Sequence, residues 1–469
     1  MCLNKNKVAF AYYATLIITL VLGILFYIGV GDNNYKFITG LAFICILCIT
    51  LFYICASNII KNYFVFSVYV YMIFTQFGLC FIYYLISPEI IRGYGGEMYY
   101  FLFSEYYPMV LGLALISVAS MLLAAAIFRR VSINLVKNKI AFRHYIQKEN
   151  KLIVFGGILF LLFSCLYFSY YLLNGAIYVG MDYTDLHSSS ALTNALWEYV
   201  IVFYGFGACY IFCCAEGKLF KVGIILFLAT ATVLLLLGNR GEVLFPFLAC
   251  MGIYMYKNKK INYRIIILGV IISIVLIPLI KVFRHLGDQS LWQAYIEASP
   301  LSGIAEMGVS MRMTNYIISE LKHGTRELLM GFSYYNPLVN IFDYLIPGNI
   351  RLEAPTSFNF RNDFYLWKAM TPVAESYANF GVIGVIFHHM IMGALLGYKE
   401  GKNPQGLQLV FLGCLTYIFI YSTRNVFASV PIYILLDFAS CFFITIVASF
   451  PSIRRKHIVR EEIKRKWET

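Results

Sequence analysis

LLLLGNRGEVLFPFL, Leu234 to Leu248, is the stretch on which the reading of this chain turns. Two apolar runs meet at a short polar break, NRGE, which places an arginine and a glutamate two residues apart. Apolar runs of this kind, if they recur, are helices crossing hydrocarbon, because each backbone amide in a bilayer must be satisfied within its own segment or in a closed barrel. They do recur, from Val8 onward. Barrel strands alternate over about 10 residues, whereas these runs are continuously apolar over twice that length. The break is then either a tight turn between two spans or the edge of a site.

Composition supports the membrane reading. Of 469 residues 60% are hydrophobic and 13% charged, against about 25% charged in a soluble domain. The expected fold is an all-α integral membrane protein with about 12 transmembrane helices: 8–30, 37–56, 63–87, 108–128, 152–173, 195–215, 222–238, 243–256, 265–283, 372–398, 407–421 and 431–450. The first run is too long for a signal-peptide core and lacks a small-residue cleavage site, so it reads as an uncleaved span. Eleven of the 12 cysteines fall in these spans and none in an external loop, so no disulfide framework is implied. Cys45 and Cys48, a CxxC inside an apolar helix, read as packing.

Lysine and arginine set the orientation. With the N-terminus inside, the inner side holds 25 of the 37 basic residues, including RRVSINLVKNKIAFRHYIQKENK (129–151) and the tail RRKHIVREEIKRK. That asymmetry places both termini in the cytoplasm and accounts for the net charge of +13 as topology and a match to anionic membrane lipids. Nucleic acid is not implied. Residues 1–283 then carry spans one to nine, 284–371 form one large external loop, 372–450 carry the last three spans, and 451–469 form a basic tail.

External cations are mostly arginines: Arg92, Arg240, Arg284, Arg312, Arg326, Arg351, Arg361 and Arg424, with three lysines. Topology does not prefer arginine over lysine, but a site gripping phosphate with a planar fork does. Within the loop, Ser299-Pro300 reads as a helix start. Ile304, Met307, Met311, Thr314, Ile318 and Leu321 form an apolar stripe, and His323-Gly324 ends it. This is an amphipathic helix lying on the membrane or on the bundle, with Arg312 off the stripe and Glu306 on its flank. Downstream, SYYNPLVNIFDYLIPGNIRLEAPTSFNFRNDFYLW is rich in aromatic rings, which either pack the loop on the bundle or wall a sugar groove.

Three features together resemble one family. They are NRGE between two spans, EMGVSMRMTNYI following KVFRHLG, and AESYANFGVIGVIF opening the span after the large loop. Over roughly residues 150 to 430 the chain resembles the Wzy family of oligosaccharide repeat-unit polymerases, which are similar in architecture to O-antigen ligases. The resemblance implies a GT-C-like membrane glycosyltransferase that joins repeat units carried on undecaprenyl diphosphate, on the outer face of the bacterial inner membrane. Both donor and acceptor are then undecaprenyl-diphosphate-linked glycans, and a chain-length regulator is an expected partner. Ligases have an S-R-G-like turn, which Gly238-Asn239-Arg240-Gly241 fits. They also tend to have a His-Asn pair in the loop, where this chain has Arg361-Asn362-Asp363 and no histidine, which argues against a ligase. A 12-span flippase or transporter is the reading from another class, but no internal repeat is visible and the one large loop breaks any symmetry.

The residues suit this chemistry. A departing diphosphate gains negative charge, which fixed cations stabilise without metal or cofactor. Arg240 and Arg424, each in a short break between spans, are the expected clamp. A structural ion pair or snorkelling is the plain alternative. Glu242 either orients Arg240 or caps the next helix, capping being preferred. Removing a proton from the acceptor hydroxyl needs a base. Glu375, about one turn into an apolar span, is the first choice, or else a simple helix N-terminal acid. Asp363, Glu306 and His285 are further candidates. Arg284, Arg312, Arg351, Arg361, Asp363, Glu306 and Asn379 are the expected substrate contacts. Gly381 and Gly384 read as helix packing, and His388 and His389 as structural.

Overall fold

A computed structural model describes residues 5–29, 34–55, 62–85, 96–136, 146–175, 196–237, 239–259, 308–335, 370–425 and 430–447. Among these, ordered structure is helical throughout. The helices are α1 (Lys5–Tyr27), α2 (Tyr35–Cys55), α3 (Tyr63–Leu85), α4 (Tyr107–Val136), α5 (Ile146–Leu173), α6 (Leu196–Cys214), α7 (Gly217–Leu236), α8 (Arg240–Asn258), α9 (Arg312–Lys322), α10 (Pro372–Gly401), α11 (Leu407–Ser422) and α12 (Val430–Val447). Seven stretches within them are long and apolar enough to cross a membrane, and three shorter apolar ones accompany them. All of the expected spans but one coincide with a helix. The exception, 265–283, lies outside the described residues, as do 284–307, 336–369 and the basic tail.

Burial sorts the bundle into centre and rim. Nearly all of α4 is buried, whereas α1, α7 and α12 each leave an apolar face exposed, including Phe10, Ile225 and Phe443. Such exposed faces suit lipid. Helix α4 packs most extensively against α10 and α1, and α3 packs against α2, α8 and α11. Close approach depends on small residues. Gly393, Gly397 and Gly401 of α10 run in parallel along the Met121, Ala125 and Arg129 carbonyls of α4. A Cβ on Gly401 would stand 2.8 Å from the Arg129 oxygen and at the other two closer still, so the two backbones touch.

One end of the bundle is pinned by charge. Glu400 is buried and accepts the Tyr63 N–H at 2.8 Å and the Phe64 N–H at 3.3 Å, at the start of α3. Arg129 of α4 stands 3.9 Å from that carboxylate and donates to the Asn62 side chain at 3.0 Å. Tyr256, near the end of α8, donates to Asn403 and to the Pro404 carbonyl. One acid thus ties α3, α4 and α10 together.

At the opposite end two helices depart from expectation. Helix α8 begins at Arg240 and has 19 residues where 14 were expected, with Pro246 inside it, so the polar break itself supplies the first turn. Helix α10 was expected to be continuous, but Phe380 (φ −140°, ψ 18°) and Gly381 (φ 63°, ψ −149°) break it. Gly381 sits where a side chain is strained, so its role is conformational rather than the packing expected. Gly384 does pack closely, on the Ser376 carbonyl. The break frees the last carbonyls of the first segment, and the loop fills them: Leu329 N–H donates to Ala378 O at 2.9 Å and Met330 N–H to Asn379 O at 3.1 Å.

Candidate active site

The polar residues at this end form two nests that share α3 as a wall. The first gathers the NRGE break and the end of α11. Asn239 is the N-cap residue of α8, with Glu242 in its first turn, where the helix dipole favours an acid. Phe245, one turn further, packs edge-on against Tyr71 of α3 at 5.4 Å and against Tyr421 of α11 at 5.6 Å. Arg424 follows the last turn of α11, its N–H donating to Tyr421 O at 3.3 Å. Both Arg424 and Glu242 act electrostatically on the Tyr71 hydroxyl, and Glu242 also acts on that of the buried Tyr417. The two polar breaks therefore adjoin. Arg240 is described only as the first residue of α8, and its side chain lies outside the described residues.

The second nest forms where the loop meets the start of α10. Thr371 caps that helix, accepting from Ala374 N at 3.1 Å, and Pro372 takes the first helical position. This pairing is favoured because proline lacks the N–H that would be left over there. Glu375 follows, wholly buried, with its N–H bonded to Thr371 O at 3.0 Å. One turn on, the buried Asn379 donates to Ser333 Oγ at 2.7 Å and to Glu375 O at 2.8 Å. Burial pushes the Tyr334 phenol well up, and the nearby Glu375 carboxylate adds to this, while a hydrogen bond with Ser376 opposes it. The same hydroxyl lies 3.2 Å from His388 Nδ1, with its ring stacked on His388 and Phe380. His388, read from sequence as structural, is thus touched by the loop.

The nests are joined through α3 and α9. Thr75 and Tyr71 are one turn apart on α3, about 6 Å between Cα atoms. Ser310 donates to Thr75 O at 3.0 Å, and Thr314, one turn beyond it, lies 3.5 Å from the Thr371 hydroxyl. The amphipathic helix was expected on the membrane or the bundle. It packs on the bundle, with Met311, Met313, Thr314, Ile317 and Ile318 buried, and it stops at His323 and Gly324 (φ 70°) as the sequence indicated. Arg312, half-buried, opens it. Arg284, Glu306, Arg351, Arg361 and Asp363 lie outside the described residues. Tyr71 was not singled out from sequence, since a tyrosine in an apolar run gives no periodic signal, and Asn239 and Ser333 were quoted only within longer stretches and given no role of their own.

Among the described residues no cluster of His, Cys, Asp or Glu could hold a metal ion. The first nest offers an arginine, a helix N-terminus and buried hydroxyl and amide groups. This combination can hold an anion. The second offers a buried carboxylate, which can take a proton.

Comparison with other proteins bears on this directly. The sequence model of the family described as O-antigen polysaccharide polymerase Wzy matches residues 12–456. Protein CapE of Staphylococcus aureus is 25% identical over 424 residues, covering 89% of this chain and 92% of its own. An uncharacterized protein of Methanocaldococcus jannaschii is 25% identical over 214 residues, 44% of this chain and 54% of its own. No solved structure matches.

Proposed function

The chain belongs to the O-antigen polysaccharide polymerase Wzy family, and from that premise we propose that it lengthens a glycan by joining undecaprenyl-diphosphate-linked repeat units on the outer face of the bacterial inner membrane. The bundle has 12 spans, a GT-C-like architecture and both termini in the cytoplasm, with 284–371 as the external loop. The acceptor sugar hydroxyl attacks the anomeric carbon of the donor chain. A new C–O bond forms as the bond from that carbon to phosphate breaks, and undecaprenyl diphosphate leaves with the electron pair. The hydroxyl proton passes to Glu375.

Arg424 and Arg240 carry the charge that develops on the leaving diphosphate. The observation that supports this reading best is the contact of the two breaks, made through Tyr71, Phe245 and Tyr421. Because the cations are fixed, the reaction needs no metal. Arg312 and Asn379 contact the substrate from the loop side, and a separate regulator sets chain length. The test is polymerisation of a defined lipid-linked repeat unit by the protein in nanodiscs, with and without chelator. Wild type yields a ladder of chain lengths under both conditions, while Arg424→Ala and Glu375→Gln leave single units. Ladders of normal length from both variants overturn the assignment.

A further inference from the structure

We propose that the Tyr71 hydroxyl and the Asn239 side-chain amide bind the leaving diphosphate directly, completing with Arg424 an anion site at the N-terminus of α8. This rests on the polymerase reading above and adds two substrate-binding residues to it.

Asn239 occupies a helix N-cap, where asparagine normally turns its side chain back to accept a backbone N–H of the first turn. Here its side chain makes no such bond. The residue is 95% buried, and its Nδ2 donor has no hydrogen-bond partner among the described residues. Tyr71 is wholly buried; its hydroxyl stands within reach of the Arg424 guanidinium, which can donate to its oxygen, while its own proton has no acceptor among the described residues. A buried polar group left without a partner loses its hydration with nothing in return, and native folds hold few of them. Asn239 caps the start of α8, and Tyr71 of α3 packs on Phe245 of its second turn with Arg424 acting on its hydroxyl. The Tyr71 hydroxyl is within the field of Arg424 and of Glu242 in the first turn of α8. Both groups can donate, and an anion accepts from both.

Charge bookkeeping limits what binds. Glu242 opposes a dianion, whereas the helix dipole and Arg424 favour it, with Arg240 the first residue of the same turn. A ligand with more acceptor oxygens than net charge suits a site with neutral donors as well as cations. A diphosphate ester fits, and it gains a further negative charge as the sugar–phosphate bond breaks. Neutral donors aimed at that charge act mainly on the barrier.

The experiment uses the full chain in nanodiscs with the defined repeat unit, comparing Tyr71→Phe, Asn239→Asp and Arg424→Ala. Each is measured for kcat and KM, for inhibition by farnesyl diphosphate and by inorganic pyrophosphate, and for Tm. Tyr71→Phe keeps the ring against Phe245 and removes a hydroxyl that donates to no described residue. Its Tm should therefore stay level or rise, while kcat falls roughly 100-fold with a smaller change in KM. Asn239→Asp replaces a donor with an anion and should weaken inhibition by both diphosphates at least about tenfold. Wild-type kcat and inhibition in both variants overturn this inference. So does a lower Tm in Tyr71→Phe, since the hydroxyl would then have a structural partner. If Arg424→Ala is inactive while the other two behave as wild type, the polymerase clamp stands and this extension of it falls. If all three are fully active, the clamp falls as well.

Discussion

Glu400→Ala should destabilise the bundle by about 3 to 5 kcal/mol, and the sum can be worked from its partners. The carboxylate satisfies two N-terminal N–H groups of α3, at 2.8 and 3.3 Å, in a place that water does not reach. Orphaning each costs about 1 to 3 kcal/mol. The substitution also leaves Arg129, with a side chain only 13% exposed, facing Asn62 without an acid. Removing one member of a buried ion pair typically costs about 3 to 5 kcal/mol, so the two routes agree. For a chain of 469 residues, an unfolding entropy near 2 cal/mol/K per residue makes that about 3 to 5 °C in Tm.

Melting is followed by fluorescence-detected size exclusion of detergent-purified protein after stepwise heating. Glu400→Gln keeps an acceptor for one N–H and should lose about half as much. Arg129→Met combined with Glu400→Gln removes the uncompensated charge, so the pair should recover part of the loss. Refutation is simple: Glu400→Ala melting with wild type, or Arg129→Met deepening the loss by its full separate amount, would show that Glu400 does not hold the three helices.

Gly397→Ala places a Cβ against the Ala125 carbonyl. Prising α10 from α4 should cost about 1 to 3 kcal/mol, read as a lower Tm, whereas a level Tm would mean that the helices already have room. Gly381→Ala, at φ 63°, should cost about 1 kcal/mol through backbone strain. Because the break sets Glu375 and Asn379 at the loop, it should also shorten the polymer ladder of the nanodisc assay more than its Tm loss explains.

Much of the frame was legible because a bilayer leaves the backbone few options. Apolar length alone located the seven described helices long and apolar enough to cross a membrane, and His323-Gly324 marked the end of α9. Glu375 stood out as an ionisable residue in an apolar run, and NRGE as polarity between two such runs. Other features gave no local signal. Glu400 sits in KEGKNP, which the charge asymmetry assigned to an inner loop, and its partners Tyr63 and Phe64 lie more than 300 residues away. The break at Gly381 was hidden by its neighbours, since GVIG is as apolar as the rest of α10 and a glycine there reads as packing. Tyr334 and His388 lie 54 residues apart in sequence and meet where the loop docks on the broken helix.

The two breaks at this end show how a membrane fold separates structure from chemistry. Both free backbone groups that hydrocarbon would not tolerate. In α10 the chain resolves the problem itself, with Leu329 and Met330 capping the carbonyls and Tyr334 seated over the gap. In α8 the cap residue is of the right type and in the right place, yet its side chain makes no capping bond and its amide nitrogen finds no acceptor among the described residues. A break that the protein seals is architecture. On the reading proposed above, a break whose cap residue leaves its amide donor unpaired among the described residues is one that a substrate completes, and the anion then belongs at α8 rather than at α10.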